Sequence, residues 1–191
     1  MLAFFPMDSS QVIITKIEPS DSSGLLEFTD RWIGKGYFSR EELTQVIELS
    51  GGASFKACVN GVIVGVRLSI KPGSLMDLGL KDLSVDSWGV PASSMAYFKS
   101  LFVAYDFQGQ GIGKALSSKS LEALKELGAL GVVCHSWLES PGDSSRYYLQ
   151  KMGFDEVRHH PRFWYDVDYH CTRCAPKRCV CTAVEMIKVL S

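Results

Sequence analysis

The sequence predicts a mixed α/β fold, α+β in its detail: one central sheet of about seven strands flanked by helices, in the order β-α-α-β-β-β-α-β-α-β-β. Three observations carry that expectation. Short β-branched runs alternate along the chain with segments whose apolar residues recur at helical spacing. Asn60-Gly61 separates two strand-like runs and marks a tight type I′ hairpin. A strand-like run over residues 95–105 enters a glycine-rich turn and leaves it as a helix-like run over 114–127.

Residues 12–17 form the first expected strand, closed by the turn formers Pro19, Ser20, Asp21 and Ser22. Residues 23–33 set Leu25, Leu26, Phe28, Trp32 and Ile33 at near-helical spacing and stop at Gly34-Lys35-Gly36. Ser39 and Glu42 make a capping box for a second helix, with Leu43, Val46 and Ile47 on one face and Gly51-Gly52 behind it. The hairpin strands are 54–59 and 62–70. Residues 71–91 are rich in Gly, Ser and Asp and read as an irregular connection with a short helical turn, either functional or a plain surface excursion. After the central strand, the long helix turns Leu116, Ala123, Leu124 and Leu127 to the core and ends at Gly128 and Gly131. Residues 132–138 are the next strand, and 144–152 a short helix stopped by Gly153. Residues 163–169 and 183–190 are the expected final strands, joined through a cysteine-rich tip.

Length indicates one domain over 1–191. A formal charge of −1 supplies no global basic field for nucleic acid or an anionic membrane. No apolar run reaches membrane-spanning length. The apolar start, residues 1–7, is too short for a signal peptide and lacks a basic lead. The expected location is cytoplasmic.

The turn itself is Gln108-Gly109-Gln110-Gly111-Ile112-Gly113-Lys114. A strand, a glycine turn and a helix N-terminus together suit a phosphate, because unpaired N–H groups and the helix dipole point at the bend. A P-loop is excluded: Ala115 follows Gly113-Lys114, and position 108 is Gln. A dinucleotide fingerprint is excluded because the third glycine comes one residue early. The remaining pattern, Gln-x-x-Gly-x-Gly, resembles the pyrophosphate loop of the GNAT superfamily of acetyl-CoA-dependent N-acetyltransferases. Residues 101–107 are similar to that family's lead-in strand, with Tyr105 at the usual proline. Residues 145–154 resemble its later segment, where a short helix runs into Gly153-Phe154. The element order is similar over nearly the whole chain.

The resemblance implies direct acetyl transfer from acetyl-CoA to an amine on a small molecule or peptide, with no acyl-enzyme. It implies that Gln108, Gly109, Gln110, Gly111, Ile112, Gly113 and Lys114 hold the pyrophosphate. It implies that the splayed backbone of Leu101, Phe102 and Val103 pairs with the pantetheine arm and offers an N–H to the carbonyl oxygen. A tyrosine hydroxyl belongs near the sulfur. The usual position, four before the glycine, is Leu149, so Tyr148 is the first candidate, with Tyr147 or no tyrosine at all as the alternatives. No general base is legible. Tyr97, Phe98, Lys99 and Ser100 supply no carboxylate; Asp106, Glu139 and His135 are nearby alternatives, as is a water relay. His135 is expected to be a satisfied core histidine, and Cys134 a small buried hydrophobe. The missing strand carboxylate and shifted tyrosine leave open a non-catalytic acyl-CoA-binding module. Oligomeric state is open, a homodimer included.

Four cysteines, Cys171, Cys174, Cys179 and Cys181, crowd into eleven residues of the tip at 170–181. Cys171-x-x-Cys174 has zinc-knuckle spacing, and four thiolates would close a tetrahedral structural zinc site. Iron, free thiols, disulfides and a redox pair are the alternatives, and His170 is a substitute ligand. Arg173, Lys177 and Arg178 would offset the charge; they are too few to bind nucleic acid. Trp137, Phe163, Trp164 and Tyr165 are candidates to line the acceptor pocket.

Overall fold

The computed structural model describes residues 11–80 and 82–190; the apolar start at 1–7 lies outside the described residues. The chain runs β1 (Ile13–Lys16), α1 (Ser22–Trp32), α2 (Arg40–Leu49), β2 (Phe55–Val59), β3 (Val62–Ile70), β4 (Met95–Val103), α3 (Ile112–Glu126), β5 (Gly131–Trp137), α4 (Ser144–Lys151), β6 (Asp155–His160) and β7 (Ala183–Val189). The element order is the expected one. The seven strands form one sheet in the order β1-β2-β3-β4-β5-β7-β6. Among the described residues, only β4 and β5 pair in parallel.

Local signals act where expected. Ser39 Oγ accepts from the Glu42 amide, and the Glu42 carboxylate accepts from the Ser39 amide, opening α2. Asn60 and Gly61 both take positive φ, as a type I′ hairpin needs. Strand alternation sends side chains to two faces. Phe98, Leu116, Leu124, Phe154 and Met186 pack beneath α3 and α4. Leu25, Leu43, Leu68, Trp88 and Tyr97 pack beneath α1 and α2.

Four expectations are corrected. The next-to-last strand is Asp155–His160, and residues 163–169 form no strand but run through turns and bends. This strand lies at the sheet edge with only His160 buried, so it carries no apolar alternation for sequence reading to find. The central strand ends at Val103; Tyr105–Phe107 is a 3-10 turn, and α3 starts at Ile112, two residues before Lys114. Leu127 caps α3 and is 41% exposed instead of core. Gly131 opens β5 instead of ending the helix.

The connection from β3 to β4 is no surface excursion. It carries 3-10 turns at Leu75–Leu78 and Val85–Ser87, and its Trp88 is fully buried. Its anchor is Glu185 of β7, itself fully buried. The carboxylate accepts from Trp88 Nε1 (2.7 Å), Ser84 Oγ (3.0 Å) and the Ser84 amide, and lies 2.9 Å from His160 Nε2. Burial alone would raise this acid, but the hydrogen bonds from Trp88, His160 and Ser84 outweigh it and hold Glu185 below the usual carboxylate range. Glu185→Ala should therefore destabilise the fold by about 3–5 kcal/mol, because it strands several buried donors at once. Thermal and urea unfolding measure this loss, and Glu185→Gln should lose less.

Candidate active site

The parallel pair β4–β5 holds only from Met95–Gly131 to Phe98–Cys134. Beyond that rung β5 continues against β7 to Trp137, while β4 continues against β3 to Val103. The two strands therefore form a fork with its apex at Phe98 and Cys134. The β5-facing edge of β4 from Lys99 to Val103 has no strand partner. A bulge helps to part them: Leu68 faces Ser100 and Ser69 faces Phe98, which leaves Lys99 unopposed. Leu101, Phe102 and Val103 all lie on this open stretch.

The open edge leads straight into the glycine turn. Gly109 and Gly111 take φ of +76° and +80°, a left-handed conformation that side chains disfavour. A Cβ at either position would meet nothing within 4 Å. Among the described residues, the first backbone N–H after the bend to find a backbone acceptor is that of Ala115, which donates to Gly111. The amides of Gly109, Gln110, Gly111, Ile112, Gly113 and Lys114 are left without one. Lys114 is exposed at the first turn of α3. Gln108 Nε2 donates to the Val103 carbonyl (2.8 Å) and Gln110 Nε2 to that of Asp106 (3.2 Å), so both side chains brace the bend.

The structure separates the two tyrosine candidates. The Tyr148 hydroxyl donates to the Gly113 carbonyl at 3.0 Å, reaching from α4 across the fork to the start of α3. Tyr147 is 56% exposed, with the Lys151 ammonium over its ring. Leu149 fills the core.

On the opposite face lies a polar group that the sequence disclosed only in part. Tyr97 Oη and His135 Nδ1 are 3.0 Å apart, one beside each arm of the apex. His135 is only half satisfied, contrary to expectation: its Nε2 is buried without a partner. Phe163 stacks on the imidazole at 4.4 Å, and His160 lies 5.6 Å away, ring to ring. Burial pushes His135 down to about 4, although the Glu185 charge opposes the shift, so the ring is neutral at pH 7. Cys134 is a buried thiol pushed up to about 12 by the same desolvation. Asp106 lies outside this group; Glu139 is taken up elsewhere, its two oxygens accepting from the Thr182 amide.

The thiols of Cys171, Cys174, Cys179 and Cys181 converge, with all four sulfurs within 4.8 Å of one another. Cys174 and Cys181 Sγ are 3.6 Å apart, and none is in a disulfide. Burial would raise the Cys171 thiol, but the Arg173 and Cys174 amides that face its sulfur outweigh this and hold it at about 7. Burial raises Cys179 and Cys181. The Tyr169 hydroxyl donates to Cys179 Sγ at 3.4 Å. Arg173 lies against Cys181, whereas Arg178 reaches Tyr165 and Asp168. His170 is exposed outside the cluster, its amide bonded to Lys35 O in the α1–α2 loop. Trp137 and Trp164 pack on the thiols, and Tyr165 is exposed on Arg162; of the four proposed pocket aromatics only Phe163 touches the histidine.

Arg67, Tyr97, His160 and Glu185 complete the site beyond the residues read from sequence. The signal for two of them was a charge inside an apolar strand: Arg67, alone in Val62–Ile70, and Glu185, which shares Ala183–Val189 with Lys188.

Comparison with known proteins agrees with this geometry. A search of curated proteins finds no match. Solved structures share the fold over almost the whole chain. Ard1 from Thermoplasma volcanium is 17% identical, with a TM-score of 0.66 over 94% of this chain and 98% of that one. Arabidopsis thaliana Naa50, in complex with the bisubstrate analogue CoA-Ac-MVNAL, is 14% identical, with a TM-score of 0.65 over 94% and 99%. Drosophila melanogaster polyamine N-acetyltransferase, which catalyses formation of N-acetylagmatine, is 12% identical, with a TM-score of 0.67 over 94% and 100%. The family model "Acetyltransferase (GNAT) domain" matches residues 55–156, from β2 through the fork and glycine turn into β6. The chain belongs to the GNAT acetyltransferase family.

Proposed function

We propose that the protein moves an acetyl group from acetyl-CoA directly to a primary amine. The observation that carries this is the fork. An unpaired strand edge, Lys99 to Val103, leads into a bend whose amides lack backbone acceptors. The edge suits the amide-bearing pantetheine arm, and the bend with the α3 dipole suits its diphosphate. The amides from Gly109 to Lys114 are the anion donors; Gln108 shapes the bend. The edge from Leu101 to Val103 supplies the N–H for the carbonyl oxygen as it gains charge. Tyr148, beside the bend, is the acid for the departing sulfur, in preference to exposed Tyr147.

Tyr97 and His135 serve the amine from the opposite face. Neutral His135 Nε2, buried and unpartnered, accepts the proton the amine must lose, directly or through one water. The Arabidopsis protein is seen with a peptide-bearing analogue and the Drosophila enzyme yields N-acetylagmatine. The acceptor proposed here is accordingly an amine of a peptide or small molecule. Binding without turnover on an amine panel would leave an acyl-CoA-binding module instead.

The thiol cluster fits one structural zinc. A Zn–S bond of about 2.3 Å sets tetrahedral sulfurs roughly 3.8 Å apart. The 3.6 Å separation of Cys174 and Cys181 matches that and is far from a disulfide. Four protein ligands leave no position for water, so the ion would shape the tip and take no part in chemistry. The protein is proposed as a single domain, 1–191, with the metal-holding tip at 170–181. Reduced thiols of this kind accord with a cytoplasmic setting.

Gly111→Asp should abolish acetyl-CoA binding in calorimetry, since the carboxylate would repel the diphosphate; retained heat would remove the loop assignment. Metal analysis of protein purified without chelator should find one zinc per chain. Cys174→Ser should lose it and melt roughly 6–12 °C lower, the shift of about 3 kcal/mol for a chain of this size. His135→Gln should lower kcat about 10²-fold with little change in acetyl-CoA affinity; an unchanged kcat moves the base elsewhere. The same variant has a stability signature. Folded His135 titrates near 4 and unfolded His near 6.5, so the unfolded state takes up the proton first. Wild-type stability should fall as pH drops from 6.5 to 4, and His135→Gln should flatten that slope in melting curves.

A further inference from the structure

Arg67 is the one charged side chain of β3, and it is buried, 3% exposed. It leaves β3 beneath α3 and crosses β4 toward the fork apex. Ser117 Oγ accepts from its Nε (3.0 Å) and Nη2 (2.8 Å). The guanidinium carbon lies 4.1 Å from the centroid of the Phe98 ring, the last β4 residue paired with β5. The acidic groups near enough to act on it are the Tyr148 hydroxyl and the Cys134 thiol; among the described residues it makes no ion pair with a carboxylate. Desolvation lowers its pKa, with Tyr148 and Cys134 opposing the shift, yet a guanidinium remains protonated in a protein.

A buried cation without a counter-charge is costly, and folds normally pair it or replace it with an apolar side chain. Here the charge sits where acyl transfer would create an anion. The amine lone pair attacks the thioester carbonyl carbon. The carbon–sulfur bond then breaks, and its electron pair leaves on sulfur. The sulfur takes a proton from Tyr148, while the proton lost by the amine passes to His135 and returns to the tyrosine oxygen through solvent. The products are an amide and coenzyme A thiol.

We propose that Arg67 supplies the missing counter-charge for this step: fixed beneath the apex by Ser117 and Phe98, it stabilises the coenzyme A thiolate as it departs and positions the Tyr148 hydroxyl that protonates it. The proposal rests on the acyl-CoA function above. It assigns Arg67 a part that is absent before the bond breaks, so ground-state affinity for acetyl-CoA owes it little.

The test compares wild type, Arg67→Met and Arg67→Lys, each saturated with coenzyme A. The ultraviolet absorbance of the thiolate is followed against pH, and acetyl-CoA affinity, turnover and melting are measured alongside. The bound thiol should titrate about one unit higher in Arg67→Met than in wild type, with Arg67→Lys between them. Turnover of the Met variant should fall about 10²-fold with Kd changed by less than about threefold. Its melting temperature should be no lower than wild type, because an unpaired buried charge has been removed. Identical thiol titration in wild type and the Met variant would overturn the proposal; should the Met variant fail to fold, identical titration in wild type and Arg67→Gln would overturn it equally. So would a Met variant that melts lower with unchanged turnover, which would make Arg67 a packing residue. Failure of coenzyme A to bind wild type at all would remove the acyl-CoA function first, and this role with it.

Discussion

The parting of β4 and β5 after Phe98 and Cys134 is the constraint on which the rest depends. Two neighbouring parallel strands normally exchange backbone hydrogen bonds along their whole length, and leaving polar edges open is unfavourable unless something else meets them. Each strand here has a second partner that takes it elsewhere: β3 draws β4 toward the glycine turn, and β7 draws β5 toward the cysteine tip. The bulge that leaves Lys99 unopposed adds local twist at the point of divergence. The resulting gap is an edge of backbone donors and acceptors held open by the sheet itself. An extended, amide-bearing ligand fits such an edge as a strand would.

Around that gap the two faces of the sheet have different chemistry. Beneath α3 and α4, the apex carries a cation, Arg67, and a hydroxyl, Tyr148, with the Cys134 thiol held neutral by burial. Beneath α1 and α2, it carries a neutral imidazole tied to Tyr97, backed by the His160–Glu185 pair. In the acyl transfer proposed above, the first face would receive negative charge on the leaving sulfur and the second the proton of the incoming amine.

The periphery is fastened to this centre by two different devices. The connection between β3 and β4 is held by the Glu185 carboxylate, whose hydrogen bonds to Trp88 and Ser84 replace the regular structure that segment lacks. The hairpin between β6 and β7 has its own small core of thiols, Trp137 and Trp164. Phe163, whose amide donates to Cys181 O, links that core to His135 by stacking on the imidazole. The thiol cluster is thus coupled to the imidazole of His135 through packing alone.

Sequence by itself determined the element order, the capping box at Ser39, the hairpin at Asn60-Gly61 and the glycine turn, because each is a contest between residues a few positions apart. The crowding of the four cysteines was legible for the same reason. What it could not decide depended on pairing across the sheet. Edge strand β6 shows no alternation, since only His160 of it is buried, so the aromatic run after it offered the stronger and misleading strand signal. The choice between Tyr147 and Tyr148 turned on which face of α4 meets the start of α3. Tyr97, His135, His160 and Glu185 come from four different strands and Arg67 from a fifth, on the other face, and no spacing along the chain sets which of them meet. Only the register of those strands does, because alternation assigns each side chain to a face and pairing alone sets which neighbours it finds there.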